Sequence, residues 1–436
     1  MKLIIKNGEI INAANKPGCF NGKGDIRITD GIIEEVAEVI EAEASVHVKL
    51  IDASGLFVLP GLIDAHSHLR EPGFEYKENI ETGTASAAMG GFTAVACMAN
   101  TFPVADNEEV VRSIINKANT DGYVKVYPIG AVSKGLKGEE LAEIGALKFA
   151  GAVAVSDDGM PVSSPSLMKK ALMYSKMFDI PVISHCEDIN ISEDGVMNEG
   201  YVSTIQGLRG IPSVAESIQV ARDVLLSEYT GAEVHIAHVS TEASVNIIRE
   251  AKKRKVKVTC ETCPHYFALT DEACLDFNTL AKVNPPLATE RDRLAVIEGI
   301  VDGTIDIIAT DHAPHHLDEK NVEFSLAANG IIGFETAFGL AYTYLVKPGF
   351  LTLRGLVEKM SVNPARLFRL TSGGLVEVSR PADITIVDAK KNYVVDVANF
   401  RSKARNSPFD GYELTGSIEY TIVDGHVIVD EGELMG

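Results

Sequence analysis

Apolar residues in the middle of the chain come in short, almost unbroken runs: FVLPGLIDAHSH, FTAVACMAN, VKVYPIGAVS, GAVAVSDDG, IPVISHCED, EVHIAHVST, VKVTCETCPHY and IDIIATDHAPH. Runs without a polar face suit strands of a parallel sheet covered on both sides. Between them apolar residues recur at helical spacing, as in Val110, Ile114 and Ala118, or Val214, Ile218, Ala221 and Leu225. Asp106-Asn-Glu-Glu109 and Ser213-Val-Ala-Glu216 read as capping boxes that start two of these helices. Eight strands alternating with helices predict an α/β fold, a TIM-like (β/α)8 barrel. The competing architecture is an open doubly wound sheet, but GxGxxG is absent and GCFNGKG lacks the spacing and the Ser/Thr of a phosphate loop.

The two ends of the chain have a different pattern. LIIKNGEII, GDIRITDGIIEEVAE, ADITIVDA and YTIVDGHVIVDEG are β-branched runs broken by Asn-Gly or Asp-Gly, which favour hairpins. Residues 1–56 and 372–436 are therefore expected to combine into one small β-sandwich domain beside a barrel spanning 57–371.

Composition narrows the function. At 436 residues, with 46% apolar and 23% charged residues, the chain reads as an ordinary globular protein. A net charge of -21 argues against nucleic acid or anionic lipid as a partner, because such binding depends on Lys and Arg neutralising phosphates. The run Lys252-Lys253-Arg254-Lys255 fits a helix C-terminus instead. With neither a signal-like start nor an apolar run of membrane-spanning length, the chain is expected to be cytoplasmic, with no membrane role. Six Cys suit a reducing compartment, and the lone Cys260-Glu-Thr-Cys263 is read as buried strand thiols rather than a zinc or redox site.

The polar residues within the apolar runs carry the chemistry. His66 and His68 close the first run, Asn100 the second, Asp157 and Asp158 the fourth, His185 the fifth, His238 the sixth, His265 the seventh, and Asp311 with His315 the eighth. A barrel builds its active site at the carboxyl ends of its strands. One such His would be read as a hydrogen-bonded structural residue; repetition over separate strands points to a metal. Residues two apart in a strand share a face, so His66 and His68 point together, with Asp64 before and Arg70 after them. Imidazoles joined by carboxylates suit a borderline-soft divalent ion such as Zn²⁺. An ion with an open coordination position makes hydroxide available at neutral pH, and a nearby carboxylate can move the proton, which is the chemistry of amide or ester hydrolysis. His235 falls on the opposite strand face from His238, and His312 and His316 are out of phase with Asp311. Ser184-His185 with nearby acids lacks the GxSxG elbow of a catalytic triad.

DAHSHLREPG, MANTFPV, SDDG, SHCED, AHVST, CPHY, VNPPL, ATDHAPH, GFETAF and RNSPFDGYELTG together resemble the amidohydrolase superfamily and, within it, the bacterial-type dihydroorotase family. The resemblance covers nearly the whole chain. It implies zinc-dependent reversible hydrolysis of (S)-dihydroorotate to N-carbamoyl-L-aspartate in pyrimidine biosynthesis. It assigns His66, His68 and Asp311 to one Zn²⁺ and His185 and His238 to a second, with Asp311 also the catalytic proton shuttle. Where many cyclic amidases bridge two ions with a carboxylated lysine, this chain has Asp157-Asp158-Gly159; counting back from His185 matches Asp158, while strand parity leaves Asp157 open. Arg70, Asn100, Asn284, His315, Asn329 and Gly330 are implied to bind the ring and its carboxylate, for which the guanidinium fork of Arg70 is suited.

The chain departs from the family pattern at Ser67, Ala99, Ala288 and Asn329; Arg291 or Arg293 stands nearest to replace an arginine missing at 288. Two other functions compete: an allantoinase or hydantoinase acting on a neutral ring, and a catalytically silent partner of aspartate transcarbamoylase, which would have lost ligands that this chain retains. A homodimer and association with aspartate transcarbamoylase are the partners the resemblance suggests.

Overall fold

The computed structural model describes residues 2–13, 19–41, 48–371 and 373–435. Met1, Ser372 and Gly436, at the ends of the expected terminal segments, and Gly18 of GCFNGKG lie outside the described residues.

The eight apolar runs become Leu62–Ser67, Phe92–Cys97, Lys125–Gly130, Ala154–Ser156, Val182–Ser184, Val234–Ile236, Val258–Thr262 and Ile307–Ile308, called strands 1 to 8 here. They pair in chain order, each parallel to its neighbours. The ring closes just beyond strand 8, where Ser67 bridges to His312 and the His68 amide donates to the His312 carbonyl at 2.8 Å. Strands 1 and 2 are buried along their whole length, as runs without a polar face require. Asp64, in the middle of strand 1, also fastens the closure: its carboxylate accepts from the Thr310 amide at 2.7 Å and from the Thr310 hydroxyl at 2.8 Å.

Helices wrap the outside, and the two expected capping boxes differ in detail from the sequence pattern. Helix Glu108–Asp121 is capped by Asn107, one residue later than Asp106, because the Asn107 side chain reaches the amides of Glu109 and Val110. Helix Val214–Thr230 begins after Ser213, whose side chain makes no capping bond. Glu216 faces inward instead, where its carboxylate accepts from the hydroxyls of Ser240 and Thr241 and holds the loop that follows strand 6.

The terminal segments pair into one continuous nine-stranded sheet. Strand Phe57–Pro60 joins its halves, running parallel to Lys2–Ile10 and antiparallel to Ile384–Val394. This sheet encloses a core of its own, which includes Leu3, Ile5, Ile26, Ile28, Ile384, Ile386 and Ile422. Only Gly61 separates Phe57–Pro60 from strand 1; a Cβ there would lie 2.1 Å from Thr93 Oγ1, so the chain passes into the barrel at a point that admits no side chain. Lys125 adds a polar tie at the same junction, 2.7 Å from both Asp383 and Asp424. Among the described residues no helix is long and apolar enough to cross a membrane.

Ile386 is fully buried in the core of the terminal sheet. Ile386→Ala is expected to lower unfolding stability by about 2–5 kcal/mol in a urea titration, and an unchanged midpoint would contradict this packing.

Candidate functional site

His66 and His68 stand at the carboxyl end of strand 1, and the groups behind them fix both rings. The Nδ1–H of His66 donates to Glu261 at 2.6 Å, and that of His68 to the Asn100 side-chain oxygen at 2.9 Å. Each ring therefore turns its Nε2 towards the barrel axis. His66 Nε2 lies 3.4 Å from Asp158 and 3.4 Å from Asp311, and His68 Nε2 lies 3.4 Å and 3.1 Å from the same two carboxylates. On the other side of Asp158, His238 Nε2 is 3.3 Å and His185 Nδ1 3.6 Å from its Oδ1. One carboxylate thus belongs to two groups of possible metal ligands, His66–His68–Asp158 and Asp158–His185–His238.

The donors fit divalent metal. Ligand atoms about 2.0–2.1 Å from a tetrahedral ion are separated by about 3.3 Å, and the spacings around Asp158, 3.3–3.6 Å, lie at or just above that value. His66 Nε2 is buried without a hydrogen-bond partner, as expected of a lone pair kept for a cation. The electrostatics agree. Burial alone would disfavour an imidazolium at His66, yet Asp158, Asp311 and Glu261 outweigh it and push its pKa well above the usual value. His185 is likewise raised to about 9, against its own burial, by hydrogen bonds to Asp158 and Glu187. Asp158 and Asp311, which burial would neutralise, are held below the ordinary carboxylate range by the facing imidazoles. The centre is built for positive charge.

Of the two adjacent acids, Asp158 faces this centre. Asp157 points towards strand 3, where Oδ1 accepts from the amides of Val132 at 2.8 Å and Ser133 at 3.0 Å, and burial raises its pKa to about 6. Arg70, His238 and Asp311 hold left-handed backbone conformations (φ 62°, 33° and 47°).

Above the centre opens a cleft of about 270 Å³. Its walls bring together His68, Arg70, Asn100, Asp158, His185, Asn284, Asp311, His315, Asn329 and Gly330, with Gly159 and Ala313, while His66 and His238 lie beneath the floor. Arg70 is anchored through Nε to the Pro314 carbonyl at 3.1 Å, and burial lowers its pKa only to about 10, so it stays cationic at neutral pH. His315 donates from Nε2 to the Asn329 carbonyl at 2.9 Å; burial, then the charges of Arg70, Lys77 and Lys320, lower its pKa to about 3 and keep it neutral. Asn284 donates to Glu187 at 2.9 Å, the same carboxylate that accepts from His185 Nε2 at 3.2 Å. Gly330 has φ 143°, and a Cβ there would meet Ala313 at 2.7 Å, so its backbone closes the wall directly.

The other imidazoles have structural surroundings. His235 is held by Thr259 and Glu261, His312 stacks on Phe334 with Glu78 3.5 Å away, and His316 is half exposed. His265 is buried, and burial lowers its pKa to about 4. The expected substitution of Arg291 or Arg293 for an arginine at 288 is corrected. Helix Glu290–Val301 directs Arg291 to Glu242 and Arg293 to Glu290 and the Phe267 carbonyl, and neither lines the cleft. Sequence reasoning passed over Glu261 and Glu187. The usable signal for Glu261 was an acid within a predicted barrel strand, since a buried carboxylate needs a partner. In CETC the paired cysteines drew attention from the acid between them. Asp158→Asn is expected to reduce the bound divalent metal found by elemental analysis, whereas Asp157→Asn should keep the wild-type content; the opposite ranking would refute the geometry.

Comparison with known proteins gives the same picture. A family model described as dihydro-orotase-like matches residues 55–244. The dihydroorotase of Acetivibrio thermocellus is 66% identical over 433 residues, covering 99% of this chain and 100% of that protein. The dihydroorotase of Ruminiclostridium cellulolyticum is 60% identical over 435 residues, covering 100% of both. Among solved structures, the L-hydantoinase (dihydropyrimidinase) from Arthrobacter aurescens superposes with a TM-score of 0.89 at 27% identity, covering 100% of this chain and 97% of that one. A nearly closed parallel barrel, a terminal sheet around it, a His–Asp centre at the strand ends and full-length identity of this degree lead to one conclusion: the chain belongs to the dihydroorotase family.

Proposed function

We propose that the protein hydrolyses (S)-dihydroorotate reversibly to N-carbamoyl-L-aspartate, the dihydroorotase step of pyrimidine biosynthesis. The observation that carries this reading is the presence in one cleft of a buried His–Asp centre and a cationic guanidinium, Arg70, at its wall. The first group of ligands suits a cyclic amide carbonyl, and the guanidinium suits a ring that bears a carboxylate.

We assign two zinc ions, one to His66, His68 and Asp311 and the other to His185 and His238, with Asp158 shared between them. When bound, such ions polarise the scissile carbonyl and lower the pKa of water to about 7. The residues of the chain do the rest. Asp311 is ionised at neutral pH and lies at the meeting point of floor and cleft, so its carboxylate takes the proton of the attacking water and returns it to the ring nitrogen as the carbon–nitrogen bond breaks. Arg70 grips the ring carboxylate through its terminal guanidinium nitrogens, one of which lies 3.4 Å from His315 Nε2, while Asn100 and Asn284 hold the ring and the Asn329–Gly330 backbone with His315 closes over it.

A cytoplasmic location accords with six cysteines that are all free, five of them buried. A homodimer and a complex with aspartate transcarbamoylase are proposed on the family resemblance.

Paired assays on dihydroorotate and allantoin test the reaction directly: kcat/KM should favour dihydroorotate, and faster hydrolysis of the neutral ring would reject it. Asp311→Ala is expected to lower kcat by about 10²–10⁴, and wild-type turnover would remove Asp311 from proton transfer. Arg70→Ala should lower kcat/KM for dihydroorotate by about 10², and equal losses on neutral and anionic rings would contradict the carboxylate contact.

A further inference from the structure

Two lysines lie buried behind the Asn329–Gly330 wall, Lys282 with 5% and Lys320 with 2% of its surface exposed. Among the described residues neither forms an ion pair. Lys282 Nζ donates to the carbonyls of Phe324 and Ala327 at 2.7 Å each and to that of Ser325 at 3.2 Å, and it sits 5.4 Å from the centre of the Phe324 ring. Lys320 Nζ donates to the Ala328 carbonyl at 2.7 Å and to the Lys282 carbonyl at 3.2 Å. The Lys282 carbonyl also accepts from the Gly330 amide at 2.9 Å. A buried ammonium without a counter-ion is costly, and here burial, then the charge of Lys282, lowers the pKa of Lys320 to about 7. Such a cost, carried twice in one place, calls for a structural return.

The return is position. The segment from Asn321 to Gly330 contains no helix or strand, so its carbonyls have no regular partners. The two ammonium groups take up four of those carbonyls within five residues. Lys282 stands two residues before Asn284, and Lys320 follows Glu319, which lies 3.2 Å from His315 Nδ1. The two lysines therefore join three pieces of the cleft wall: Asn284, His315 and the Asn329–Gly330 backbone.

We propose that Lys282 and Lys320 are positioning residues, a buried ammonium clasp that holds the Asn329–Gly330 backbone at the place where it closes over an anionic ring. The inference rests on the reading of this cleft as the substrate site. Deletion of one ammonium frees carbonyls of the segment and loosens that wall, without touching the His–Asp centre.

The test is Lys320→Met in the full-length, zinc-loaded enzyme, read by hydrogen–deuterium exchange of the peptide covering residues 321–333 and by steady-state kinetics on dihydroorotate. Exchange in the peptide should accelerate about tenfold and KM should rise about tenfold, with zinc content unchanged and kcat reduced less than KM is raised. Unchanged exchange, or an unchanged KM, would overturn the clasp; so would a fall in kcat alone. Should Lys320→Met fail to fold, the wild-type enzyme decides: the Gly330 amide, in a segment without helix or strand, must exchange slowly, and rapid exchange overturns the proposal. Because exchange is measured without substrate, a wild type inactive on dihydroorotate would refute the reaction while the clasp is still judged by exchange.

Discussion

Carboxylates taken out of water must meet positive charge or hydrogen-bond donors, and at the mouth of this barrel that requirement organises everything around Asp158. Its two oxygens lie among four imidazoles contributed by strands 1, 5 and 6, with the Asp311 carboxylate a short distance away. An anion so deeply buried would ordinarily take up a proton. Here the imidazoles keep it ionised, and in return it raises the pKa of His66 and His185. A divalent cation satisfies both sets of groups at once, which a proton cannot do.

That arrangement makes demands on the surrounding structure. Three of the four imidazoles present one chosen nitrogen because the other is occupied, by Glu261 for His66, Asn100 for His68 and Glu187 for His185. The loops that carry the ligands must be held as firmly as the rings. Asp64 fixes Thr310 beside Asp311, Asp157 fixes Ser133, and Glu216 fixes the loop after His238. The same acids show why the strands can be short near the site: side-chain carboxylates replace the ladder bonds that the diverging backbone leaves unmade. Above this His–Asp floor Arg70 contributes a cationic group to the cleft wall and His315 a neutral one.

Much of the barrel was legible because its strands have no polar face, so eight apolar runs with helical spacing between them leave few alternatives. The centre was legible for the complementary reason: polar residues recur where those runs end. What stayed hidden was decided in three dimensions. Strand parity could not separate Asp157 from Asp158 because both faces of the sheet are buried, and only the loop after strand 3, which supplies donors to Asp157, distinguishes them. Glu216 looked like a helix cap because Ser213 precedes it by three residues, but a nearer pair of hydroxyls claims it. Arg291 and Arg293 looked close to the cleft along the chain, and their helix turns them outwards. Lys282 and Lys320 gave no sign at all, since a lysine is read as exposed unless an acid stands beside it.

The central claim is that the Asp158 carboxylate is a metal ligand shared by the two histidine pairs. Anomalous diffraction at the zinc absorption edge, from crystals grown with ample Zn²⁺, tests it most directly. The account predicts peaks on both sides of Asp158, each about 2.0–2.2 Å from one of its oxygens. Zinc peaks elsewhere, with the Asp158 carboxylate contacted by protein groups alone, would contradict it.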